Sequence, residues 1–145
     1  MVRTPSLWRI IQNDYIAHMA FLFPVVFWGM YVFFALFRPG ESTEFFLYAA
    51  PIATVVAAAV LLWRYRTFTT IFSDGLEVPG VVSNLGFFRG RGRIECTYTY
   101  QGQKLVSGNA VHETKRMREF KQGADVTLVV DRNNPRRAFI RDLYL

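Results

Sequence analysis

Residues 15–37 read YIAHMAFLFPVVFWGMYVFFALF, and residues 45–63 read FFLYAAPIATVVAAAVLLW. Neither stretch holds a formal charge. A helix needs about 20 apolar residues to cross a hydrocarbon core of roughly 30 Å, and these two run to 23 and 19. The twelve Leu, Ile, Val and Phe residues of the first favour insertion by about 4 to 7 kcal/mol before polar penalties. Two such segments in 145 residues leave too little chain to surround them in water. The first is also longer than a signal-peptide core, and Arg38-Pro39-Gly40 behind it is no small-residue cleavage site. The pattern predicts a transmembrane α-hairpin, with helices over about 15–37 and 45–63.

The flanks orient it. Arg3 and Arg9 precede the first helix, and Arg64 and Arg66 follow the second. The connecting loop sets Arg38 against Glu41 and Glu44. The positive-inside rule then predicts both termini in the cytoplasm. Leu7, Trp8, Ile10 and Ile11 around Arg9 read as an interfacial segment. His18, four residues after Asp14, is expected to be solvated or paired with that carboxylate. Pro24 and Pro51 are expected to bend their helices.

The two helices differ in kind. The first carries an aromatic side that includes Phe27, Trp28 and Tyr31; the second has Ala49, Ala53 and Ala57 on one row. Small residues four apart let another helix come close. These six are the candidate docking residues. The row serves either to seat the two helices on each other or to receive a larger membrane protein.

Everything beyond Trp63 is of another composition. Residues 1–63 have zero net charge, so the whole +6 of the chain lies in residues 64–145. Ile94 to Tyr100 alternates with period two, placing Ile94, Cys96, Tyr98 and Tyr100 on one face. Gln101-Gly102 reads as a hairpin turn, with Gln103 to Ser107 returning. Leu76–Val82, Ser83–Phe88, Asp125–Asp131 and Ala138–Ile140 read as further strands, and Glu113–Lys121 as a short helix or loop. The expected fold class is an α+β membrane protein. Residues 1–66 form an interfacial N-terminus and the hairpin, and residues 67–145 a basic cytoplasmic β-domain, a small antiparallel sheet or partial barrel.

Two motifs stand out there, Tyr98-x-Tyr100-x-Gly102 and Gly123-x-x-Val126-x-Leu128-x-Val130-Asp131-x-x-Asn134-Pro135. With the hairpin before them, they resemble a bacterial family of two-helix membrane proteins with a C-terminal β-domain, catalogued as a domain of unknown function. The resemblance covers about residues 80–140. Val130 and Arg132 stand where that family more often has Tyr and Pro, and Gly102 follows Tyr100 one residue sooner. The resemblance implies this fold and a location in the bacterial inner membrane, and no reaction.

Signals for catalysis are weak. His112-Glu113 lacks the second His of a zinc-protease helix, Cys96 is a single cysteine on an alternating strand, and no phosphate loop or nucleophile elbow is present. Neither a catalytic residue nor a cofactor or metal site is expected. The basic clusters are more informative. Arg89, Arg91 and Arg93 alternate with glycine in an expected hairpin loop behind Phe87 and Phe88; Lys115, Arg116, Arg118 and Lys121 form a second group, and Arg136 and Arg137 a third. A domain tethered at a membrane meets anionic lipid first, at about 1 kcal/mol per basic residue. Lipid headgroups or ordinary solvated charge are therefore expected ahead of an acidic protein partner, and that ahead of nucleic acid bound by phosphate contacts and stacking. The expected function is a non-catalytic accessory or scaffold subunit of a larger membrane complex. The alternative is a self-standing binder of a toxin, anionic lipid or nucleic acid.

Overall fold

The computed structural model describes residues 4–38 and 40–145. Arg3 and Pro39, which entered the orientation and the loop above, lie outside them. Helix α1 (Leu7–Asn13) is followed directly by α2 (Tyr15–Phe37) and α3 (Glu41–Asp74). Then come strands β1 (Leu76–Phe88), β2 (Arg91–Tyr100) and β3 (Gln103–His112), helix α4 (Lys115–Arg118), strands β4 (Asp125–Val130) and β5 (Ala138–Ile140), and helix α5 (Arg141–Tyr144). This is the α+β arrangement expected, a helical hairpin followed by an antiparallel β-domain.

Both long helices are long and apolar enough to cross a membrane. Along the hairpin, Ala17 and Ala20 on α2 and Ala50 and Ala57 on α3 are buried. Trp28 Nε1 donates to Thr54 Oγ1 at 3.0 Å, and that hydroxyl donates to the Ala50 carbonyl at 2.8 Å. Phe46 packs edge-on to Phe27 and stacks on Phe34. Pro24 and Pro51 lie inside helices that continue unbroken through them.

The second helix runs past the domain boundary expected at residues 66 and 67. It runs to Asp74. Thirty-four residues at 1.5 Å each make about 51 Å, well beyond the roughly 30 Å of a bilayer core. The extra turns stay helical because Phe68, Ile71 and Phe72 fall on one helical face and bury against the β-domain. Phe68 lies 4.5 Å, centroid to centroid, from both Phe139 and Tyr144.

The five strands run β3-β2-β1-β4-β5. Leu76–Val82 and Ser83–Phe88, expected as two strands, are one long strand with an irregularity in register between Val82 and Asn84. Its first half pairs with β4 and its second with β2, so it bends from one neighbour to the other. At Gly80, paired on both sides, a Cβ would sit 2.6 Å from Leu128 Cδ1, so only glycine fits without a shift. Gln101 and Gly102, at φ 49° and 78°, make the hairpin turn read from sequence.

The outer strands β3 and β5 nearly meet. Ser107 Oγ donates to the Ala138 carbonyl at 2.9 Å and accepts from the Ala138 amide at 3.1 Å. Asn109 Nδ2 donates to the same carbonyl at 2.8 Å. Side chains thus take the place of a sixth ladder and almost close a barrel. Its core holds Val82, Ile94, Cys96, Tyr98, Leu128 and Ile140. Burial pushes the Cys96 thiol up to about 11, so it packs as a small protonated side chain.

Candidate functional site

Several residues join the helical hairpin to the β-domain, and one of them links the most elements. Asp14 is the extended residue between α1 and α2, at φ −86° and ψ 122°. Its amide donates to the Ile10 carbonyl, closing α1, and its Oδ1 accepts from Ala17 N at 2.9 Å, capping α2. It forms an isolated bridge with Val111 of β3. Its carboxylate also takes both Nε and Nη2 of Arg64, on α3. The pairing expected for it, with His18, does not form.

Its neighbour Asn13 works the same junction. Asn13 Nδ2 donates to the Leu143 carbonyl at 2.9 Å, and Thr114 Oγ1 bonds Asn13 Oδ1 at 3.3 Å. Asn13, Asp14 and Ser107 are the buried polar residues among those described, and each bridges separate elements. The Ser6 amide donates to the Tyr144 carbonyl at 3.1 Å, so both ends of the described chain lie on the β-domain side.

His18 instead stacks on His112 at the end of β3, with centroids 3.8 Å apart and planes 16° from parallel. Sequence spacing gave no sign of this, because the residues meet only when β3 returns past α2. Burial and then the neighbouring His18 lower the His112 imidazole below its usual 6.5; the Gln12 backbone and Glu113 oppose the shift. A lowered value favours the neutral ring in the fold. The stabilisation it reflects is therefore complete above about pH 6.5 and lost as pH falls through the folded value. Thermal unfolding in detergent is expected to show a melting temperature that drops between pH 7 and 5. His112→Phe, which keeps the stack without the titration, should flatten that part of the profile; an unchanged slope would dismiss the assignment.

Around the first turns of α2 the β-domain presents a collar of basic residues over three clefts. One combines Ile16 with Arg64, Arg136 and Arg137; a second combines His18 and Phe21 with Arg9, Lys115 and Arg116; a third combines Tyr15 with Arg91 and Arg93. The candidate anionic-surface residues are thereby sorted. Arg91 lies over the Tyr15 ring, 5.7 Å from its centroid, and Arg89 over that of Phe88 at 5.1 Å. Arg93 and Arg118 pair with Glu95 and Glu113, each at 2.8 Å, which neutralises them. Lys115 and Arg116 are exposed, with no ion-pair partner among the described residues. Arg91 and Arg93 lie on β2 and only Arg89 in the turn, so the three do not form the single loop expected. Arg9, read from sequence only as an interfacial anchor, joins Lys115 and Arg116.

The candidate docking residues divide as well. Phe27, Ala49, Ala53 and Ala57 line one apolar groove of about 570 Å³ along the hairpin, with Ala20 and Ile52. Trp28 and Tyr31 are not among its lining; they meet edge to face, and Trp28 is spent on the bond to Thr54.

The residues that carry the family resemblance serve the fold. The buried Tyr98 donates its hydroxyl to the Pro135 carbonyl, and Gly102 and Gly123 hold positive φ. Asp131 Oδ1 accepts from Asn133 N, and Asn134 Oδ1 from Arg136 N, shaping the turn before β5. Comparison with family models, curated proteins and solved structures yields no match to this chain.

Proposed function

We propose that this chain is a non-catalytic accessory or scaffold subunit of a larger membrane protein complex, anchored in the bacterial inner membrane with both termini cytoplasmic. The observation that carries the reading is the groove along the hairpin, where an aromatic from α2 meets the alanine row of α3. Lipid tails solvate leucine as well as a neighbouring helix does, so helices associate where small residues permit close van der Waals approach. Ala20, Ala49 and Ala53 give the groove such a floor, and a transmembrane helix of the partner is its occupant. The hairpin does not need the whole groove for itself, since the Trp28–Thr54 bond and the Phe46 contacts already join its helices.

Charge supports the orientation. Arg9, Arg64 and Arg66 lie at the β-domain end, while the hairpin loop carries Arg38 against Glu41 and Glu44. The acidic side chains of Asp14, Glu95, Glu113 and Glu77 are engaged with arginines, which fits a binding role better than acid–base chemistry.

The test is extraction from the native host in nanodiscs, followed by mass spectrometry. A stoichiometric, larger membrane protein is expected to accompany the chain, and Ala49→Leu with Ala53→Leu should release it while leaving helical content unchanged. Recovery of the chain with lipid alone would refute the proposal.

A further inference from the structure

Of the three clefts in the collar, the one between α1, the first turns of α2, the end of β3 and α4 has the features of a built site. Its volume is about 490 Å³. Arg9, Lys115 and Arg116 reach it from α1 and α4, and none has an ion-pair partner among the described residues. No acidic residue lines it; nearby Glu113 is engaged by Arg118. Gln12, Thr114 and His112 add polar groups to the lining, which also holds the aromatic rings of Trp8 and Phe21. Trp8 and Phe21 meet edge-on at 6.4 Å, and both remain largely exposed, at 58% and 43%. Phe21 belongs to the membrane helix, and Leu22 and Val25 continue its exposed apolar surface.

We propose that this cleft binds one anionic glycerophospholipid, with Arg9, Lys115 and Arg116 taking the phosphate and Trp8 and Phe21 flanking the start of the acyl chains. The site lies where a headgroup lies, at the turn from interfacial helix to membrane helix. Cations at such a surface attract anionic lipid. Trp with Arg at this level matches the usual anchoring composition of a membrane interface. A free phosphate would use the cations and leave the aromatic rings idle. A lipid uses both, and its tails follow α2 into the bilayer. The pocket is independent of the hairpin groove, so either reading stands without the other.

The experiment is native mass spectrometry of the full chain in mild detergent, titrated with phosphatidylglycerol or phosphatidylcholine. One phosphatidylglycerol should be retained per chain at concentrations where phosphatidylcholine is not. Replacing Arg9, Lys115 and Arg116 together by Gln should weaken that adduct about 100-fold, at about 1 kcal/mol per cation. Trp8→Ala should weaken it with the charge unchanged. A control variant, Arg38→Gln with Lys104→Gln and Arg132→Gln, removes equal charge elsewhere and should leave it in place. Equal loss in the control would reduce the effect to net charge and overturn the site. Displacement of the lipid by millimolar inorganic phosphate would assign a soluble anion instead. Melting curves of all variants, expected to coincide with the parent, separate loss of the site from loss of the fold.

Discussion

Asp14→Ala is expected to be among the most damaging single substitutions in this protein, lowering its stability by about 3–5 kcal/mol or more. Removing one partner of a buried ion pair leaves the other charge uncompensated, at about that magnitude. Here the stranded charge is Arg64, whose side chain is only 12% exposed. The substitution also removes the cap on Ala17 N, at about 1 kcal/mol. In a chain of 145 residues this is a fall in melting temperature of about 10 °C or more. The paired variant Asp14→Asn with Arg64→Met separates the causes. Asn still caps α2, and a neutral side chain in place of Arg64 strands no charge, so most of the loss should return. Melting in detergent, followed by circular dichroism, checks both. An Asp14→Ala protein that melts within about 2 °C of the parent would show that the junction does not depend on this residue.

That residue also marks where reading the sequence stops. The two membrane helices were legible because length and apolarity are summed over about 20 positions and tolerate local exceptions. The strand Ile94–Tyr100 and its Gln101-Gly102 turn were legible because period two and a positive φ are local properties. Asp14 was seen beside His18 along one helix, whereas its true partner lies fifty residues away. No spacing announces that meeting, nor the stack of His18 on His112. The continuation of α3 beyond Trp63 escapes the sequence for a related reason. Arg64-Tyr65-Arg66-Thr67-Phe68-Thr69-Thr70 is charged, β-branched and aromatic, which reads as the end of a membrane helix. It remains helix because its aromatic face finds the β-domain, and tertiary burial overrides propensity. The candidate sites were legible as residue types and not as groups. Lys115 and Arg116 were recognised, but their companions Arg9, Trp8 and Phe21 come from the other end of the chain. Arg93 and Arg118 were counted with the free cations because their carboxylate partners become neighbours only in the fold.

Phe68→Ala is expected to uncouple the two halves. Phe68 is fully buried, between Phe72 on its own helix and Phe139 and Tyr144 of the β-domain, with the Arg64 guanidinium 5.1 Å from its ring centroid. Truncating a buried phenylalanine costs about 3–5 kcal/mol, part of it the cavity left behind. The location of the loss distinguishes it from Asp14→Ala. β5 is three residues long and is held by β4 on one side and by Ser107 and Asn109 on the other. Without Phe68 its Phe139 loses a packing partner, so the β5 amides should exchange hydrogen faster by two orders of magnitude or more, as expected for a local loss of about 3 kcal/mol. The helices should remain intact, because their own contacts lie elsewhere. Val55→Ala on the exposed face of α3 supplies the comparison and should leave exchange in β5 unchanged. Equal exchange in the Phe68 variant and the parent would show that α3 merely abuts the barrel. The expected result makes those last turns of α3 a rigid support on which β5 is packed.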